Sequence, residues 1–81
     1  MELDLRMVLK TFKYAGLSMK EFAIKEGLSA STLYSISSQK QNYTEEYSNY
    51  ICYLLERDYS KEWRKIKEII KVNRMIAGSD R

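Results

Sequence analysis

An all-α, compact five-helix domain is predicted by three observations. Apolar residues recur at helical spacing in stretch after stretch, while proline is absent and only three glycines occur in 81 residues. A Ser or Thr stands ahead of four of those stretches, at Ser18, Ser29, Thr44 and Ser60, where its hydroxyl can accept from an otherwise unpaired amide.

The first helix covers about residues 3 to 14, with Leu5, Val8, Leu9 and Phe12 as its apolar stripe. Ala15-Gly16-Leu17 turns the chain, and Leu17 is placed as a hydrophobic staple ahead of Ser18. Ser18 with Glu21 makes a capping box for a second helix over about 19 to 26. Gly27 ends it in the left-handed conformation that glycine adopts without a Cβ penalty. Ser29 caps a third helix over about 30 to 37, with Leu33 and Ile36 on its inner face. Ala23, four residues before Gly27, is small enough for the second and third helices to cross closely.

A polar loop, Ser38 to Asn42, leads to Thr44, the cap of a fourth helix with Glu45 and Glu46 where the helix dipole favours anions. Tyr43, Tyr47, Tyr50, Ile51 and Leu54 fall on one side of that helix, with Cys52 and Tyr53 behind. Asp58-Tyr59-Ser60 breaks it. Ser60 caps a fifth helix over about 61 to 77, closed by Gly78. This last helix is amphipathic and basic. Trp63, Ile66, Ile69, Ile70 and Ile76 gather on one side, and Arg64, Lys67, Lys71 and Arg74 fall in a stripe about 80° wide on another. The stripe reads as a solvated charged face, a second phosphate-binding edge or a partner-docking helix.

Eighty-one residues are expected to form one domain, because a second core would hold too little apolar surface. At 44% hydrophobic and 31% charged, the composition is that of a folded chain. Without a spanning apolar run or a leader, the expectation is a cytoplasmic protein that does not enter membranes. A single cysteine, Cys52, excludes an internal disulfide and reads as a buried thiol, or as a cross-link between two copies. With one Cys and no His, zinc sites of the usual kind and His-based acid–base or triad chemistry cannot be built. No carboxylate pair or glycine-rich phosphate loop stands out, so neither an enzyme nor a cofactor is expected. The net charge of +3 permits nucleic acid without requiring it.

Residues 18 to 37 therefore read as two short helices on a tight glycine turn, a helix-turn-helix. The stretch from Met19 to Ser37 resembles the helix-turn-helix of lambda-repressor-like (Xre-type) regulators. There an Ala precedes the turn glycine by four residues, as Ala23 precedes Gly27. An apolar residue and a Ser cap follow, as Leu28 and Ser29 do, and Leu33 and Ile36 match two apolar positions of the recognition helix. Thr32-Leu33-Tyr34 is also similar to the homeodomain-like motif of small transposase subunits.

The resemblance implies a transcriptional regulator that docks its third helix in the major groove of duplex DNA. Ser29, Ala30, Ser31, Tyr34, Ser35 and Ser38 would face the groove, while Lys20, Gln39 and Lys40 would hold the backbone. A homodimer through helices four and five would read half-sites about one helical turn apart.

The chain departs from that pattern at three points. Glu26 stands before the glycine where the family has an apolar residue, with Ile24 two residues earlier; helix two would then be rotated or end early. Ser37-Ser38-Gln39-Lys40 replaces the usual charged-glycine turn. The groove-facing residues include no Arg, Lys or Asn, the side chains that discriminate bases by paired hydrogen bonds. That bland surface supports a second reading from another class. In it the protein is an accessory subunit of replication, recombination or mobile-element machinery that binds single-stranded DNA or a protein partner, with exposed tyrosines stacking on bases.

Overall fold

The structure, a computed structural model, describes the backbone of residues 4–79 and the side chains of residues 4–73. Five α-helices lie within the described residues, with no strand: α1 (Leu5–Thr11), α2 (Met19–Glu26), α3 (Ala30–Ser37), α4 (Glu45–Asp58) and α5 (Ser60–Ser79). A 3₁₀ helix, Phe12–Ala15, continues α1 directly.

The helix starts follow the capping chemistry. Asp4, Ser18, Ser29 and Thr44 each hold extended backbone and accept an amide from the first turn with the side chain. For α2 the Glu21 amide donates to Ser18 Oγ at 3.2 Å, and for α3 the Thr32 amide donates to Ser29 Oγ at 3.2 Å.

Three ends share one device. After α2, Leu28 N–H donates to Ala23 C=O at 2.8 Å and Gly27 N–H to Ile24 C=O at 3.4 Å, the paired bonds of a Schellman turn. The 3₁₀ helix ends in the same way, with Leu17 N–H on Phe12 C=O at 2.9 Å. After α3 the pair is Lys40 to Ser35 at 2.9 Å and Gln39 to Ile36 at 3.1 Å. Gly16 and Gly27 take the left-handed position in the first two, with φ of 84° and 70°. The third puts Gln39 there, at φ 65°, where a Cβ costs about 1–2 kcal/mol.

The core gathers around α1, which packs against both α3 and α5; α2 packs on α3, and α4 on α5. Leu5, Val8, Leu9, Phe12, Phe22, Ala23, Leu33, Ile36, Ile51, Leu55, Ile66 and Ile70 are buried. Phe12 meets Phe22 edge to face with centroids 5.3 Å apart. Ala23 of α2 is fully buried, and α2 packs against α3.

Several expectations change. The first helix is shorter than 3 to 14, because its last turn tightens to 3₁₀ before Gly16. Tyr43 lies ahead of α4, and Tyr50 is exposed; Ser48 and Leu55 are buried beside Ile51 and Leu54 instead. That rotation follows from packing against α5, which the apolar pattern of α4 alone left ambiguous. Ser60 is already the first residue of α5, with Tyr59 as the break between helices. Gly78 does not close α5, which runs through it to Ser79. Ile69 is only half-buried, unlike Ile66 and Ile70.

Helix α2 is neither rotated away nor cut short at Glu26. Its side chain is only 9% exposed and faces Arg57 of α4 with a nitrogen–oxygen distance of 3.7 Å. Arg57 also grips Asp58 through contacts of 2.6 and 3.0 Å, and Lys25 sits 5.2 Å from the Tyr59 ring centroid. A polar junction thus occupies the place of an apolar one. Ile24 is left on the outside, 70% exposed.

Candidate nucleic-acid interface

Helix α3 carries no acidic residue, and its outer strip is made of small polar side chains plus one tyrosine. Ser29, Ser31, Tyr34 and Ser38 are exposed, with Lys20 at the start of α2 and Gln39 and Lys40 beyond the end of α3, all exposed too. Two of the residues expected to face outward contribute less. Ala30 is half-buried and packs against the core, and Ser35 is half-buried with its carbonyl accepting from Lys40. Ser38 Oγ turns back onto the Tyr34 carbonyl at 2.9 Å, which draws it away from an outside partner.

The two flanks of this strip differ in chemistry. On one, Tyr34 and Ser37 face the end of α1 and the 3₁₀ helix across an open groove of about 550 Å³ whose other walls include Lys10, Lys13, Tyr14 and Ser18. No acidic side chain lines it. Lys13 Nζ sits 5.1 Å from the Tyr14 ring centroid, and the ring itself is 64% exposed.

On the other flank, Thr32 and Ile36 face a groove of about 370 Å³ walled by Gln41, Asn42, Tyr43, Thr44 and Tyr47. Glu45 and Glu46 follow at the start of α4. A network stitches this side to the start of α1. Tyr43 Oη donates to Asp4 Oδ1 at 2.6 Å and accepts from the Leu5 amide at 3.2 Å. Arg6 donates to the Gln41 carbonyl and Asn42 Oδ1, both at 3.3 Å, and lies 5.1 Å from the Tyr43 ring centroid. The hydrogen bond from Tyr43 holds the Asp4 carboxyl below its ordinary range, and the same bond pushes the Tyr43 hydroxyl up.

The second basic surface lies on α5. Arg64, Lys67 and Lys71 are exposed along it, and Lys67 Nζ lies 5.5 Å from the centroid of the buried Trp63 ring. The side chains of Arg74 and Ile76 lie outside the described residues. Helix α5 packs against α1, the 3₁₀ helix and α4, whereas α3 packs against α1 and α2.

Sequence reasoning passed over Lys10, Lys13 and Tyr14, which complete the open groove. The alternation of exposed Lys10, Lys13 and Tyr14 with buried Leu9, Phe12 and Ala15 was the available signal, but only folding brings those residues beside Tyr34. Cys52 is half-buried against the core, and burial pushes its thiol up, which disfavours the reactive thiolate. Among the described residues no cluster of three or more His, Cys, Asp or Glu could hold a metal ion, and no helix is long and apolar enough to cross a membrane. No protein-family model, no curated protein and no solved structure matches this chain.

Proposed function

We propose that the protein is a small DNA-binding module, a transcriptional regulator that uses α2 and α3 as a helix-turn-helix and docks α3 in the major groove. The observation that carries this reading is the acid-free outer strip of α3, exposed, with Lys40 exposed just beyond its C-terminal end and Lys20 exposed at the start of the preceding helix. Ser29, Ser31 and Tyr34 contact base edges or phosphates; Lys20 and Lys40 contact phosphates and set register without reading sequence. With serines as readers, discrimination between sites is weak, and most affinity comes from phosphate contacts.

The test is fluorescence-polarisation binding to a duplex of about 30 base pairs, roughly three helical turns, across a salt series. Affinity should fall steeply with salt, and Lys20→Ala together with Lys40→Ala should reduce the slope by about 2, close to one per lost phosphate contact. Duplex affinity that ignores both substitutions overturns the docking mode.

A second reading is favoured by the open groove with its two exposed tyrosines and two lysines: an accessory protein of replication, recombination or mobile-element machinery that holds unpaired strands.

A further inference from the structure

Three hollows on the surface adjoin one another, each neighbouring pair sharing two lining residues. The groove beside α3 shares Lys10 and Tyr14 with a second hollow of about 540 Å³, which reaches Ile69 and Asn73 on α5. That hollow shares Ile69 and Asn73 with a third of about 310 Å³, which ends against Lys65 and Val72. The shared walls set the three hollows side by side as a track from Tyr34 on α3, over the Lys10–Tyr14 ridge that divides the first two, to α5.

The tyrosines line the first two hollows, and lysines line all three. Tyr14 and Tyr34 are 64% and 53% exposed, and the groove they share is also lined by the core residues Leu9 and Phe12 and by half-buried Leu17. Lys10, Lys13 and Lys65 stand along the walls, against Glu68 as the one acidic lining residue.

We propose that this track binds an unpaired strand of nucleic acid, with bases stacked on Tyr34 and Tyr14 and the phosphates following Lys10, Lys13 and Lys65. A nucleobase has two apolar faces and a polar rim, which suits an exposed tyrosine ring over an apolar floor. Its phosphates suit lysines spaced along the wall. Stacking needs no particular base, so binding is tolerant of sequence. The track rests on the second reading above and deepens it, extending the site to α5; with the duplex face it shares Tyr34 alone. It also joins α5 to the α3 side, two regions that are separate along the chain.

The experiment compares a labelled oligothymidylate of about 12 nucleotides, within the length one small domain can cover, with a labelled duplex. Both are titrated with the full chain and its variants, and the fold of each variant is checked by thermal melting. Tyr14→Ala should weaken oligothymidylate binding about tenfold or more, with duplex binding changed less than about twofold, while Tyr14→Trp retains the affinity. Lys10→Ala with Lys13→Ala should lower the single-strand salt slope by about 1.4. Three results overturn the proposal: no oligothymidylate binding where duplex binds, indifference to Tyr14→Ala, or equal displacement by polyglutamate. The first leaves the duplex reading standing, and loss of duplex binding alone leaves the track standing, so the two fail separately.

Discussion

The two flanks of α3 are built from the same helix and face opposite chemistries. Towards the 3₁₀ helix, the side chains are lysines, tyrosines and serines around an open, acid-free groove. Towards α4, the space is occupied by amides and by a Tyr43–Asp4–Arg6 network, with Glu45 and Glu46 beyond it. One flank leaves its hydrogen-bonding and stacking capacity outward; the other spends it on tying the loop after α3 to the start of α1. A bland outer strip thus takes a different character on each side from the side chains beside it.

The largest expected effect comes from removing what both flanks share. Leu33 is fully buried beneath α3, and Leu33→Ala should cost about 3 kcal/mol in urea unfolding, abolishing any difference between the flanks as α3 loosens. Next is the stitched flank alone. Tyr43→Phe removes the hydroxyl that joins Asp4 to the Leu5 amide and should cost about 1 kcal/mol at neutral pH, leaving single-strand binding on the open flank unchanged.

The same bond gives a pH signature with a definite sign. Asp4 binds its proton less readily folded than unfolded, so its stabilisation is complete above the unfolded value of about 4 and is lost as pH falls through the folded one. Tyr43 is the mirror case: its stabilisation is present below about 10 and is lost as pH rises through its elevated folded value. Melting temperatures followed into acid should therefore drop more steeply for the native chain than for Asp4→Asn.

The smallest effect is at the turn. Gln39→Gly should raise stability by about 0.5 kcal/mol, since glycine relieves the left-handed Cβ strain while adding back unfolded-state entropy. If duplex affinity falls in that variant while stability rises, the strained residue is held for contact with DNA.

Much of the fold was legible before any coordinates. The caps at Ser18, Ser29 and Thr44, the turn at Gly27 and the inner residues Leu33 and Ile36 all stand where their spacing placed them. These depend on bonds reaching three or four residues along the chain, so the determining atoms are local. The outward positions of Ser29, Ser31 and Tyr34 were legible for the same reason: opposite the buried positions of a helix lies its exposed face.

What tertiary structure decided involves partners far apart in sequence. Glu26 reads as a misplaced charge until Arg57 is seen beside it, and Tyr50 reads as core until α4 is rotated by its packing on α5. Ala30 reads as outward until it is seen packed against the core. Tyr14 and Tyr34 share a groove only because α1 packs against α3. Local hydrogen-bond chemistry thus determined where helices begin and end, whereas helix rotation and the joining of surface residues followed from burying several apolar stripes in one core, a condition no single stretch of sequence carries.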